Sequence, residues 1–394
     1  MTVLDALSPE QLAAATSSAP VVLVEAAAGG GKTATLAARA RWLIDQGEDP
    51  ASILVLAFTR SAVAELRARI GDSGVRIETF HSFAWAELGR PQIATFHEAD
   101  AALRSLYEGN LRRKDRDLPG IEELRAAIAR YEAGEDVEES RLRFVLVALS
   151  RLRDAGLVPL WDLVPRFLAL TPRGLDVRGH VLVDEWQDTT ASEALLAMML
   201  RPAGPFFAVG DPRQAIFGWK HGRWLELDRT ERHTLSRSYR FSGAIASYAN
   251  RIGDRFGADP IRGNDENDDD VRHIPREGVL QELRRDPTRT LILARTNREC
   301  ALLQNELEGR AAHARRDPRD PLSSESDRFS EIWASGRAVV STVHGAKGRE
   351  AARVIYVRPG IDEGHEDAEE NRIDYVAVTR ARKRLAIVRG DGTP

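Results

Sequence analysis

The sequence predicts an α/β protein with two parallel sheets, each covered by helices, and a helical insertion in the first. Three observations carry this. Short β-branched and apolar runs recur along the 394 residues, each followed by apolar residues at helical spacing. Continuous apolar strands alternating with helices make parallel sheets that are buried on both faces. The runs fall into an early and a late group, and between residues 85 and 178 strand signals give way to helical periodicity.

In chain order, the early strands are residues 21–24, 53–58, 181–183 and 206–209. Between the second and third lie helical patterns over 121–132 and 141–154; another helix, 191–200, separates the third and fourth. The late strands are 290–293, 339–342, 354–357 and 385–388. Residues 264–270 (Asn-Asp-Glu-Asn-Asp-Asp-Asp) read as a solvated acidic surface loop, although a cation site fits the same composition. The expected division is a first α/β domain over 1–84 and 179–232, a helical accessory insertion over 85–178, and a second α/β domain over 233–394.

Composition excludes several classes. No apolar run exceeds strand length, so no membrane span is expected, and no signal-peptide pattern opens the chain; the expectation is a soluble, cytoplasmic protein. Cys300 is the only cysteine, which rules out a disulfide framework or a Cys-rich zinc site. The net charge of −4 gives no global sign of a polyanionic partner. Arginines nevertheless cluster at 141, 143, 151 and 153, and again at 380, 382 and 384 beside Lys383, and a basic groove can exist on an acidic protein.

The first apolar run leads into Ala26-Ala27-Ala28-Gly29-Gly30-Gly31-Lys32-Thr33 and then a helical pattern. Strand, glycine-rich loop and helix is the context of a phosphate-binding loop. Residues Ala28 to Gly31 let backbone N–H groups curl around phosphates, and the helix N-terminus adds favourable partial charge. Lys32 is placed to reach the β- and γ-phosphates, and the Thr33 hydroxyl to ligate Mg²⁺. The run 181–183 ends in Asp184-Glu185, which puts two carboxylates at the C-terminal edge of a sheet, where ligands bind in such folds. Asp184 suits Mg²⁺ and Glu185 suits polarising water. ATP or GTP hydrolysis is the expected chemistry.

Asp184-Glu185-Trp186-Gln187-Asp188 resembles the DExQD box of UvrD/Rep-type superfamily 1 helicases, and further motifs follow in that family's order. Leu7-Ser8-Pro9-Glu10-Gln11 resembles the Q motif. Ala57-Phe58-Thr59-Arg60-Ser61-Ala62, Thr79-Phe80-His81-Ser82 and the stretch Val209 to Trp219 resemble the next motifs. Ser238-Tyr239-Arg240, Ser341 to Glu350 and Tyr375 to Ala381 resemble the last three, so the likeness runs from Leu7 to Ala381. It implies two RecA-like P-loop domains and an ATP-driven motor on single-stranded DNA and on single-strand/duplex junctions, with 3′→5′ polarity.

The resemblance also implies residue roles. Gln11 reads the adenine edge, Tyr239 stacks on the base, Ala34 lies beside it and Glu350 accepts from a ribose hydroxyl. Gln214 senses the γ-phosphate. Arg240 and Arg380 reach it from the second domain as the cleft closes, where guanidinium groups stabilise transition-state charge; each also fits a plain surface ion pair. Phe58, Phe217 and Trp219 are candidate stacking platforms for bases, with core packing as the other reading of Phe58. Thr59, His81, Thr342 and His344 are candidate phosphate or sugar contacts.

Two departures stand out. Ala34 occupies the place where the family often sets an arginine against the base. Only about forty residues separate Arg295-Thr296-Asn297 from the motif at 341–350, too few for a further domain of ordinary size. A compact form lacking the second accessory domain is implied, with a protein partner as a substitute for it. Two other readings stay open: a motor subunit within a nuclease or recombination complex, and a protein-remodelling NTPase that does not act on DNA.

Overall fold

The computed structural model describes residues 3–95, 98, 101–102, 104–105, 121–133, 136–170, 179–200, 204–217, 224–266, 268–285, 289–307, 309–314, 325–358 and 368–389. The chain forms two compact units. One comprises Met1–Val24, Lys32–Gly210 and Phe217–His233; the other comprises Glu25–Gly31, Asp211–Ile216 and Thr234–Pro394.

Fourteen strands are described: β1 Val21–Ala26, β2 Ile53–Ala57, β3 Arg76–Thr79, β4 Gln92–Ala94, β5 Leu157–Pro159, β6 His180–Val183, β7 Phe206–Gly210, β8 Glu231–Leu235, β9 Asp270–Ile274, β10 Thr290–Ala294, β11 Ala311–His313, β12 Ala338–Thr342, β13 Ala351–Arg358 and β14 Ala381–Arg389. They build a six-stranded sheet in the order β3-β2-β6-β7-β1-β8 and another in the order β11-β12-β10-β13-β14-β9. In the second sheet every neighbouring pair runs parallel. In the first, β2 is parallel to both β3 and β6, and β6 to β7. This is the α/β, two-sheet architecture that the alternating apolar runs predict.

All eight predicted strands are present, and all are interior. β2 (Ile-Leu-Val-Leu-Ala) and β10 (Thr-Leu-Ile-Leu-Ala) are buried at every position. The other four strands of these two sheets, β3, β8, β9 and β11, carry no sequence signal and are the four edges. β8 reads Glu-Arg-His-Thr-Leu and β9 reads Asp-Val-Arg-His-Ile, and both are largely exposed or half-buried. An edge strand pairs on one side only, and charged side chains there discourage pairing with other chains.

The insertion is not purely helical, which corrects the sequence expectation. Helices Ile121–Ala133, Glu139–Asp154 and Leu163–Leu170 are present. In addition β4 pairs in parallel with β5, placing Ile93 opposite Val158. Three-residue strands are too short to show alternation, and here the partners lie far apart in sequence. Phe144, Val145, Ala148 and Leu149 of one helix pack on Leu124, Ala127 and Ile128 of another. Burying such side chains contributes about 1.5–3 kcal/mol each for the larger ones.

The acidic stretch 264–270 is also more than a solvated loop. The Asp269 carboxylate accepts from the backbone N–H groups of Ala244 (3.1 Å) and Ile245 (3.0 Å), capping the helix Gly243–Gly253 from a distance. Asp268 accepts from Lys383 Nζ at 2.6 Å. The carboxylates are held by a helix N-terminus and a lysine, which is favourable for both partners. Among the described residues no helix is long and apolar enough to cross a membrane, and no group of three or more His, Cys, Asp or Glu could hold a metal ion.

One buried carboxyl in the insertion gives a pH signature. Asp162 is 3% exposed, and burial pushes its carboxyl up to about 6, against the downward pull of the Tyr131 hydroxyl donor and of Arg166 and Arg153. A folded-state value above the unfolded one means stabilisation that is full below about pH 4 and lost as pH rises through about 6. Asp162→Asn keeps an acceptor for Tyr131 Oη, which lies 3.2 Å from Oδ1. It should therefore raise stability by roughly 1–3 kcal/mol at pH 8, with the gain vanishing by pH 4. Urea unfolding at the two pH values measures this; an equal effect at both would remove the assignment.

Candidate functional site

In the first unit the helix Lys32–Asp45 begins at the predicted phosphate-contacting lysine, with Thr33 and Ala34 half-buried in its first turn. The apolar strand β6 ends at Val183 and delivers Asp184 and Glu185 from its C-terminal end. Lys32 Nζ lies 3.4 Å from Glu185 Oε2. Asp184 is 2% exposed, and its carboxyl is pushed well above the usual range by burial and by the neighbouring Glu185 charge, with Lys32 opposing. Glu185 adopts φ 51°, a left-handed backbone uncommon outside glycine. Such strain is retained where the surroundings over-determine it and is frequent at active sites. Gln187 Nε2 donates to Glu185 Oε2 at 2.6 Å and to Asp188 Oδ2 at 3.1 Å, so the Asp-Glu-Trp-Gln-Asp stretch orders itself.

These groups fit a magnesium-bound triphosphate. A buried carboxylate beside a second one costs free energy until a cation joins them, and a hydroxyl and a lysine stand at the adjoining helix start. Thr33 and Asp184 are the residues that would hold the metal.

Gln11 sits in the helix Pro9–Ala15 and is buried. Its Oε1 accepts from Ser8 N–H at 2.9 Å, while Ser8 Oγ accepts from Gln11 N–H at 3.2 Å, a reciprocal capping box. Thr59 caps the helix Arg60–Ile70 by accepting from Ala62 N–H at 3.1 Å. His81 is half-buried in the helix Phe80–Glu87. Phe58 and Phe217 stack on each other, with ring centroids 5.5 Å apart and planes at 29°. Trp219 lies outside the described residues.

In the second unit the glycine-rich loop sits beside the Ser238-Tyr239-Arg240 turn. Tyr239 N–H donates to Gly29 O at 2.9 Å, and Ala27 N–H donates to Leu235 O at 2.8 Å. Gly29 has φ 77°, and a Cβ there would meet Arg240 Cβ at 2.6 Å and Ser238 Oγ at 2.7 Å, so only glycine fits. Gly31 also has a positive φ, 86°; Ala28 is fully buried, and Gly30 N–H donates to Ala27 O at 2.7 Å. Tyr239 is 48% exposed.

Arg240 and Glu350 form one pair: Arg240 Nε donates to Glu350 Oε2 at 2.5 Å, and its Nη1 donates to Thr379 O at 2.8 Å. Arg380, by contrast, is 1% exposed. Its Nη2 donates to Gln214 Oε1 at 2.7 Å and its Nε to Val376 O at 3.1 Å. Gln214 Nε2 in turn donates to Asp211 Oδ2 at 2.7 Å, and Asp211 Oδ1 accepts from Arg213 Nε at 2.7 Å. Burial disfavours the Arg213 charge, but Asp211, Tyr375 and Glu25 together outweigh it and hold the guanidinium above its ordinary value. Asp211 and Arg213 were not singled out from the sequence. Their signal is the one that marks Asp184: an aspartate at the C-terminal end of a fully buried strand, here β7.

Two residues of the loop after β12 reach the same segment. Lys347 Nζ donates to Gln214 O at 2.5 Å, and His344 Nε2 lies 3.0 Å from Ile216 O. Burial lowers the His344 pKa, which favours a neutral ring that donates from Nε2. Thr342 Oγ1 accepts from Gly345 N–H at 3.0 Å.

Comparison with known proteins adds to this geometry. The UvrD/REP helicase N-terminal domain matches residues 7–128 and 177–234, and the UvrD-like helicase C-terminal domain matches residues 337–388, together more than half of the chain. DNA helicase IV of Escherichia coli (strain K12) is 26% identical over 96% of this chain and 67% of its own length. DNA helicase II of the same strain is 26% identical over 64% of this chain, and ATP-dependent DNA helicase Rep of Salmonella typhimurium is 27% identical over 56% of it. The matched stretches span 40% and 39% of those two relatives.

Proposed function

Because the chain belongs to the UvrD/Rep helicase family, we propose that it is an ATP-driven motor that moves 3′→5′ along single-stranded DNA and opens duplex ends. The observation that carries this reading is the cluster of Lys32, Asp184 and Glu185 at the end of a buried strand, with Lys32 and Glu185 3.4 Å apart. Mg²⁺, when bound, would neutralise charge on the phosphate oxygens. Thr33 and Asp184 are its ligands in this reading, Lys32 contacts the phosphates, and Glu185 orients the attacking water and takes up its proton. Gln11 and Tyr239 recognise the base. Gln214, Arg240 and Arg380 answer to the γ-phosphate, and turnover depends on both sets of residues.

DNA recognition in this reading rests on stacking and phosphate contacts, which are tolerant of sequence, as a motor requires. Phe58, Phe217 and Trp219 are the stacking residues, and Thr59, His81, Thr342 and His344 face phosphate or sugar. A base that entered between Phe58 and Phe217 would have to part their stack.

The test is ATP turnover with and without single-stranded DNA, followed by displacement from tailed duplexes of either polarity. Stimulation by single strands and displacement from 3′ tails are expected, with short duplexes opened better than long ones. Each base-pair step opposes opening by about 1.4 kcal/mol. Phe217→Ala should weaken single-strand binding by about tenfold or more, since a stacked base is worth about 1–3 kcal/mol. Turnover indifferent to DNA would replace this reading with a protein-remodelling NTPase. Long-duplex unwinding by the isolated chain would remove the need for a partner in place of the second accessory domain.

A further inference from the structure

A buried cation next to the nucleotide site has no role in that reading. Arg39 lies on the helix Lys32–Asp45, about two turns after Lys32, and is 3% exposed. No carboxylate pairs with it among the described residues, and its Nε is buried without a hydrogen-bond partner. An unpaired buried charge is costly, and burial accordingly lowers this guanidinium to about 10. What compensates is specific. Nη1 donates to Ala15 O at 3.1 Å and Ser17 O at 2.5 Å, and the guanidinium lies over the Trp42 ring at 4.6 Å and the Phe207 ring at 5.5 Å. Aromatic faces above a desolvated guanidinium supply the attraction that a carboxylate would otherwise give.

The two carbonyls belong to the C-terminal end of the helix Pro9–Ala15 and the residues just after it. Gln11 stands at the other end of that short helix. Its amide oxygen is fixed on Ser8 N–H, so the amide moves only as the helix moves. Ser17 is held from its other side as well, its Oγ donating to Glu231 Oε1 at 2.9 Å and accepting from Ala19 N–H at 3.1 Å. Ala34 offers no long side chain against the base, so a displaced Gln11 would go uncorrected from that side.

We propose that Arg39 is a positioning residue for base recognition. It locks the helix that carries Gln11 onto the helix that begins at Lys32, and so sets how strongly adenine is preferred over other bases. This rests on the reading of the chain as an ATPase with Gln11 at the adenine edge. A leucine or methionine at position 39 would pack between Trp42 and Phe207 at no charge penalty, yet would leave the carbonyls of Ala15 and Ser17 without their donor.

The test is calorimetric titration of the full chain with Mg-ATP and Mg-GTP, alongside KM and kcat for DNA-stimulated turnover of each. Arg39→Met is expected to lower ATP affinity about tenfold while GTP affinity and kcat stay within about twofold. Gln11→Ala should show the same loss, and the double variant no more than Gln11→Ala alone, because the two act in series. Arg39→Lys, which keeps a donor for both carbonyls, should retain most of the preference. If Arg39→Met does not fold, Arg39→Leu, which also lacks a donor, is the second variant, with the same loss of preference expected. A parallel fall in ATP and GTP affinity, or an unchanged ATP preference, would overturn the inference while leaving the ATPase reading intact. A wild-type chain that binds neither nucleotide would remove both.

Discussion

Lys32→Ala should lower DNA-stimulated ATP turnover by roughly 10²-fold or more while leaving the thermal unfolding profile unchanged. The lysine is half-buried at the helix start and its described partner is Glu185, at 3.4 Å, so in the proposed reading its removal deletes a phosphate contact and one ion pair. Glu185→Gln should lose turnover to a similar degree and still bind ATP. The amide keeps the size of the side chain and removes the group that accepts the proton from water, with Thr33, Lys32 and Asp184 in place. Single-turnover hydrolysis together with equilibrium ATP binding separates the two variants. Turnover close to wild type in either would mean that the chemistry is done elsewhere.

Arg240→Ala should cost about 10³-fold in kcat with a small change in KM, the loss typical when an arginine is withdrawn from a transferring phosphoryl group. Its placement depends on two acceptors, the Glu350 carboxylate at 2.5 Å and Thr379 O at 2.8 Å. Arg240→Lys should not rescue, because one ammonium cannot reproduce a planar fork held at two points. Glu350 then decides between two roles. If it aims Arg240, Glu350→Ala lowers kcat, by about tenfold; if it accepts from the ribose, the variant raises KM for ATP and leaves kcat alone, and 2′,3′-dideoxy-ATP is no longer discriminated. The geometry favours the first, since Glu350 is already engaged by the guanidinium. A KM effect without a kcat effect would return Glu350 to the ribose.

What the sequence alone determined is the interior of both sheets and the order of the motifs along them. Strands such as β2 and β10 are buried on both faces, so each position must be apolar, and the requirement is written residue by residue. The glycine-rich loop and the Asp-Glu pair are equally local: glycines, a lysine and carboxylates lie within a few residues of a strand end. Tertiary structure decided the rest because the physical cause was not local. β3, β8, β9 and β11 exist as strands only because an interior strand offers them a hydrogen-bonding edge. β4 and β5 need each other across most of the insertion. The acidic run 264–270 reads as solvated until a helix N-terminus 25 and 24 residues away donates two backbone N–H groups to its Asp269. Arg39 looks like any helix arginine in the sequence. Only packing removes it from water and hands it two carbonyls and two aromatic faces, because the free energy of a buried charge is set by what surrounds it and not by its neighbours along the chain.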